Sequence, residues 1–259
     1  MRNDIKELLG KIEHSDIFER HPLYFIGGTA LSVYLDHRIS YDIDITSTKL
    51  LAIPALKAFA FALKAIHIPD RAKASAFRIN SGKDLDNYYM KFMVDGVKLE
   101  FTYFDDALRQ SILVNAVSTP YSEGSKLKIL SLNDIITLKA IALFGRQKSR
   151  DLFDMAIILE RKLLPIEEFE RIYSFKQTGD KTLEEYIQGF DAKKDDDGDS
   201  SLDFLPHHEH YKAFAKLTQD ERFDKCKEMF LGQYNEKQRK KLEMKKREVF
   251  SSIRNILKT

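Results

Sequence analysis

Apolar and polar positions along this chain switch between two periods. Ile5, Leu8, Leu9 and Ile12 recur at three- and four-residue spacing, which predicts a first helix over Asp4 to Phe18. His21-Pro22 breaks it, and Leu23 to Ile26 reads as a short apolar strand. The helical period returns in Ala30, Leu31, Tyr34 and Leu35, directly after Gly27-Gly28-Thr29. Tyr41 to Ile45 then alternates polar and apolar, the period of a half-buried strand. Thr46-Ser47-Thr48 offers capping hydroxyls for a helix from Leu50 to about Ile66, and Ala76 to Asn80 reads as a further short strand.

A hairpin follows. Asn87 to Val94 and Val97 to Phe104 flank Asp95-Gly96, a pair suited to a type I′ turn because both central residues need positive φ. That turn sets Val94 opposite Val97, Phe92 opposite Leu99 and Lys91 opposite Glu100. Beyond it, Asp105 to Asn115 reads as a helix, Val117 to Gly124 as a turn-rich connector, and Lys126 to Leu130 as a last short strand. Ser131 and Asp134 approach a capping box, opening a helix through Phe144 with Gly145 as its stop. Ser149 is placed to cap one more helix, in which Asp151 and Asp154 share a face. The pattern predicts an α/β (α+β) portion over residues 1–124, a mixed sheet with flanking helices. A mostly helical portion follows over residues 125–259.

Composition narrows the class. With 259 residues, 43% hydrophobic and 32% charged, the chain suits a globular protein of one large or two smaller domains. Forty-two basic against forty acidic residues leave a net charge of +2, too small to argue a nucleic-acid partner from the total. The single cysteine, Cys226, excludes an internal disulfide framework and fits a reducing cytoplasm. No apolar run is long enough to span a bilayer and Met1 to Lys11 lacks a signal-peptide core, so a cytoplasmic protein without membrane contact is expected.

The chemistry concentrates in two stretches. Two glycines at a strand-to-helix turn let backbone approach a ligand, and the unpaired N–H groups of the helix start suit a phosphate. Residues two apart in a strand share a face, so Asp42 and Asp44 stand side by side while Ile43 and Ile45 face the core. Adjacent carboxylates repel unless a cation joins them, and Mg²⁺ takes carboxylate oxygens together with substrate phosphates. The combination points to metal-assisted chemistry on a nucleotide. Between the two, Arg38 can brace an Asp or a phosphate through its planar fork, and His37 suits a local hydrogen bond. In the second stretch, basic residues precede the helix of Asp151 and Asp154, where they can meet a triphosphate; capped-helix ion pairs are the plainer reading.

Gly27-Gly28-Thr29-Ala30-Leu31, His37-Arg38-Ile39-Ser40 and Asp42-Ile43-Asp44 together resemble the signature of the nucleotidyltransferase superfamily. More closely, they resemble the AbiEii/AbiGii-type toxins of abortive-infection and toxin–antitoxin systems. Leu138-Lys139-Ala140 and the run Arg146 to Asp154 resemble the same family, whose members carry a helix lysine followed by an R-x-K-x-R-D-x-x-D-like segment. The resemblance covers about residues 20–160. It implies transfer of a nucleoside monophosphate from an NTP to an acceptor hydroxyl, with two Mg²⁺ ions, or Mn²⁺ in their place. RNA, tRNA first, is the implied acceptor, and a separately encoded antitoxin the implied partner.

Residue by residue, the resemblance makes Asp42, Asp44 and Glu100 metal-holding and catalytic. Glu100 is the third carboxylate, from the neighbouring strand; its plainer reading is a cross-strand ion pair with Lys91, worth at most about 1 kcal/mol. Gly27, Gly28 and Thr29 become the phosphate cradle, with Arg38, Lys139, Lys148 and Arg150 also nucleotide-binding. Asp151 becomes a catalytic or substrate-orienting acid, with Arg150 and Asp154 as its support. Two other classes remain: the same transfer onto a small molecule, as in antibiotic adenylyltransferases, and a silent nucleotidyltransferase-like protein that binds nucleotide, nucleic acid or protein.

The remaining features carry less. The acidic run within Gly189 to Asp203 fails as an EF-hand, because Lys193 falls at the first ligand position counted back from Gly198, and a solvated loop is expected. In His207-His208-Glu209-His210 only His207 and His210 have helix-face metal spacing, too few for a zinc site. Lys225 to Thr259 holds eleven Lys or Arg against four Glu. Phe230, Leu242, Val249, Ile253, Ile256 and Leu257 form its interrupted apolar stripe. An amphipathic helix with a solvated basic face is expected, with nucleic-acid phosphates the sharper alternative.

Overall fold

The computed structural model describes residues 1–176, 179–192 and 202–256, with side chains to Glu248. Residues 193–201 of the expected acidic loop, and the apolar positions from Val249 onward, lie outside the described residues or side chains. By its contacts the chain forms two compact units. One comprises Met1–Leu138 with Asp203–Lys212, the other Lys139–Leu202 with Ala213–Thr259.

The first unit is built on a mixed sheet of seven strands: β1 (Leu23–Ile26), β2 (Asp42–Ser47), β3 (Ile66–His67), β4 (Tyr89–Val94), β5 (Val97–Tyr103), β6 (Ser118–Pro120) and β7 (Lys128–Leu130). Their order across the sheet is β3-β4-β5-β2-β1-β7-β6. The pairs β2/β5 and β1/β7 run parallel and the rest antiparallel. Helices α1 (Asn3–Ile12), α2 (Ile17–Arg20), α3 (Gly27–Leu35), α4 (Ile53–Ala62), α5 (Arg71–Ser81) and α6 (Ala107–Asn115) flank it, and α7 (Leu132–Leu143) carries the chain into the second unit.

One sheet face is the core. Phe25, Ile43, Ile45, Phe92, Leu99 and Phe101 are buried there, and Phe59 of α4 meets Phe101 edge-on with ring centroids 6.2 Å apart. Each fully buried aromatic or aliphatic side chain contributes about 1.5–3 kcal/mol. The alternation of β2 and β5 therefore fixes which side chains stand on the opposite face. The hairpin has the expected register, with Asp95 at φ 49° and Gly96 at φ 82°. The hydroxyl of Ser131 serves the start of α7 as expected, accepting from the Asp134 backbone N–H and donating to its carboxylate.

Several elements depart from the sequence pattern. The expected first helix is two, α1 and α2, separated at residues 13–16. Ala76 to Asn80 is not a strand but the end of α5. Asp70 accepts from the Lys73 N–H at one end of α5, and Gly82, at φ 68°, closes the other. None of its residues is buried and Ile79 is 83% exposed, so the alternation there faces no core. Thr46 and Ser47 belong to β2 rather than to a cap, and α4 starts later, with Pro54 in its first turn. Two short strands are new: β3 pairs with β4, and β6 emerges from the supposed connector to pair with β7.

In the second unit, α8 (Ser149–Glu160) is buried along nearly its whole length, from Asp151 through Leu159. Ser149 is its first residue rather than its cap, and the N-cap position is Lys148. The long α12 (Gln219–Ile256) packs along α8, α9 (Ile166–Lys176) and α10 (Leu183–Gln188) pack against α12, and Phe214, the last residue of α11 (Tyr211–Phe214), meets Phe153 of α8 edge-on. Thr182 and Glu185 form a reciprocal capping box on α10. Phe223, Cys226, Phe230 and Tyr234 bury one side of α12, but Leu242, expected in the same stripe, is 58% exposed. Among the described residues no helix is long and apolar enough to cross a membrane.

Candidate active site

Strand pairing assembles the first group. In the parallel β2/β5 ladder Asp44 is the register partner of Glu100 and Asp42 that of Lys98, so the three carboxylates share the face opposite the core. In the antiparallel β1/β2 ladder Ile26 pairs with Asp44, which sets Asp44 beside the start of α3. Gly27 has φ 82°, and a Cβ on it would stand 1.9 Å from Asp44 Oδ2. A side chain there would displace the carboxylate from the helix start. Gly28 is closed similarly from the other side: a Cβ would stand 2.7 Å from Arg38 Nη2 and 3.0 Å from Ser40 Oγ. Backbone at both glycines is thus packed against side chains that the Asp-x-Asp strand and its preceding loop supply.

The other members of this group are more enclosed. Thr29 is buried and its hydroxyl donates to the Asp42 carbonyl, tying α3 to β2. Arg38 is 3% exposed; its Nη1 donates to the Ile39 carbonyl at 2.9 Å and its own carbonyl accepts from Ser32 Oγ at 3.2 Å. His37 is buried beside it. Glu100 also meets Lys91 at 4.0 Å, both partly exposed, so the cross-strand ion pair is present at long range.

The second group lies in the other unit. Lys139 of α7, 6% exposed, reaches Asp151 and Asp154 of α8, both fully buried, at 2.9 Å each. Arg146 Nε donates to Asp151 Oδ2 at 2.6 Å and its Nη2 to Oδ1 at 3.1 Å. Burial alone would raise the Asp151 pKa, yet Lys139, Arg146 and Arg150 outweigh it and hold the carboxyl well below its usual range. The ion pairs are buried, not the surface pairs of an ordinary capped helix. Lys148 is buried at the N-cap, and Arg150, in the first turn, is intermediate. Arg146, quoted in the sequence run but given no role, is a clear member of the cluster; its 44% side-chain exposure leaves it open to solvent.

Sequence spacing also missed Asp36. It ends α3 in a left-handed conformation, at φ 41°, with His207 Nε2 at 3.3 Å and His208 Nε2 at 3.4 Å from its carboxylate oxygens. These ligand atoms lie within 4.8 Å of one another. His208 Nδ1, however, accepts the Leu205 N–H at 2.8 Å, which requires the ring proton on Nε2, where it donates to Asp36. A metal at Nε2 would need that proton moved onto Nδ1, against the Leu205 N–H. The group is a hydrogen-bonded latch.

Carboxylate oxygens on one sheet face, beside a glycine-opened helix start, are hard donors that could hold Mg²⁺ next to a phosphate. Over residues 12–242 the chain matches the family described as "Nucleotidyl transferase AbiEii toxin, Type IV TA system". It belongs to that family, the nucleotidyltransferase toxins of toxin–antitoxin systems, as its motifs led one to expect. No curated protein matches it. Among solved structures it is similar to JHP933 from Helicobacter pylori, at 15% identity over 96% of this chain and 99% of that one, with a TM-score of 0.46. A putative nucleotidyltransferase from H. pylori aligns at 18% identity over 92% and 98%, TM-score 0.47. MenT4, nucleotidyltransferase toxin Rv2826c from Mycobacterium tuberculosis H37Rv, aligns at 12% identity over 90% of each chain, TM-score 0.43.

Proposed function

We propose that this toxin moves a nucleoside monophosphate from an NTP to a hydroxyl of RNA, tRNA being the first acceptor to test, with Mg²⁺ or Mn²⁺ held by Asp42, Asp44 and Glu100. The observation that carries the reading is the register of Asp44 on Glu100, beside a Gly27 whose missing Cβ leaves room for the Asp44 carboxylate. All three donors are hard oxygens, the chemistry that suits these cations. Bound there, the metal would lower the acceptor hydroxyl's pKa and offset charge on the triphosphate.

The chain's own residues account for the rest. Backbone N–H groups at Gly27 and Gly28 orient the triphosphate, assisted by the α3 helix start. Thr29 acts through its hydrogen bond to β2, and Arg38 through its contact with Gly28. Within the second unit, Lys139, Arg146, Lys148 and Arg150 form a basic group of the kind that neutralises phosphate charge, with Asp151 and Asp154 orienting Lys139 and Arg146. The acceptor oxygen forms a bond to the α-phosphorus, the bond from that phosphorus to pyrophosphate breaks, and the acceptor proton passes to a carboxylate, Glu100 being the candidate. In the cell a separately encoded antitoxin counters the toxin.

The test is label transfer from each α-labelled NTP, with Mg²⁺ and total cellular RNA, beside Asp42→Ala/Asp44→Ala. Label in a discrete RNA band that disappears in the double variant is expected. Label on small acceptors only would replace RNA with the small-molecule class. Absence of nucleotide binding would leave the silent class.

A further inference from the structure

The loop at residues 36–41 carries Arg38 and Ser40, which close around Gly28, yet it lies in neither helix nor strand. Its polar backbone groups therefore need partners from elsewhere. A segment distant in sequence supplies them. The chain leaves the second unit to contribute Asp203–Lys212 to the first. There the Asp203 carbonyl accepts the Ile39 N–H at 2.8 Å, and Asp203 Oδ2 accepts the Tyr41 hydroxyl at 2.6 Å. At the other end of the loop Asp36 takes His207 and His208, the latter locked by Leu205. The Arg2 guanidinium lies over the Tyr41 ring, 4.6 Å from its centroid. The loop is held at its start, middle and end, with Arg38 between the fixed points.

We propose that Asp203 to His208 is a strap whose positioning residues, Asp203 and His208, hold the 36–41 loop so that Arg38 keeps the Gly27-Gly28 turn shaped for a nucleoside triphosphate. This rests on the proposed function for the identity of the ligand, but not for the strap itself. Tyr41 is the sensitive point. It contributes a single hydroxyl to the strap, and burial, with Asp203 alongside, pushes its pKa up to about 12, so it remains a donor across the physiological range. The strap acts on ligand affinity and leaves the transferring groups in place.

The experiment compares wild type with Tyr41→Phe, Asp203→Ala and Asp203→Asn by amide hydrogen exchange at residues 36–41, Mg–ATP and Mg–GTP binding, and label-transfer kinetics. Tyr41→Phe and Asp203→Ala should speed exchange in the loop and raise KM for the NTP by about threefold to tenfold, the range one lost hydrogen bond allows. Their kcat should stay within about twofold of wild type. Asp203→Asn keeps an acceptor oxygen for Tyr41 and should restore wild-type values. Unchanged exchange in both disrupting variants overturns the strap. Faster exchange with unchanged NTP affinity overturns its positioning role. A wild-type chain that binds no NTP removes the proposed function and that role together, while exchange still decides whether the strap holds the loop.

Discussion

At the scale of single residues, Gly27 is the position with least freedom. Its φ of 82° disfavours any L side chain, and the Asp44 carboxylate occupies the space a Cβ would take. Gly27→Ala should therefore cost about 1–3 kcal/mol of stability and, by displacing Asp44, lower label transfer at least about tenfold. Thermal melting and the transfer assay check the two parts separately; a variant with full activity would mean Asp44 does not need its present place. The sequence showed the glycines and the carboxylates but not their collision. That contact depends on Ile26 pairing with Asp44, and pairing partners across a sheet leave no local pattern.

Between elements, the buried Lys139–Asp151–Asp154 cluster ties α7 to α8. Asp151→Ala leaves Lys139 with Asp154 alone and should destabilise the protein by about 3 kcal/mol at pH 7, read from urea unfolding. The sign with pH follows from the depressed carboxyl. The Asp151 contribution is fully present above the unfolded carboxyl pKa of about 3.9 and is lost as pH falls through the lower folded value. The gap between wild type and variant should hold from pH 7 to about 5 and shrink below 4. A gap that widened under acid would contradict the ion-pair account. Legibility at this scale varied with locality. The hairpin was readable because one Asp-Gly turn fixes all its partners, and the shared face of Asp151 and Asp154 because helix spacing is local. The strand expected at Ala76 to Asn80 failed because alternation predicts a strand only where a core receives one face, and Asp70 and Gly82 supply helix ends instead. The edge strands β3 and β6, of two and three residues, are too short to leave a period.

For the whole molecule, the family was readable from a few clustered motifs, since phosphate and metal chemistry constrains residue types at short spacing. The strap was not: Tyr41 and Asp203 are 162 residues apart, and no periodicity links them. Of the proposed metal-holding set Asp42, Asp44 and Glu100, the last is the most informative member, because a glutamine there keeps the shape and removes the charge. The most direct measurement is the rate of label transfer from the preferred NTP by Glu100→Gln, beside Lys98→Ala on the same strand face as a control. Glu100→Gln should fall at least about a hundredfold in rate with its melting temperature unchanged, and Lys98→Ala should change by no more than about threefold. A Glu100→Gln protein that transfers label at the wild-type rate would contradict that proposal, leaving Glu100 as no more than the ion-pair partner of Lys91.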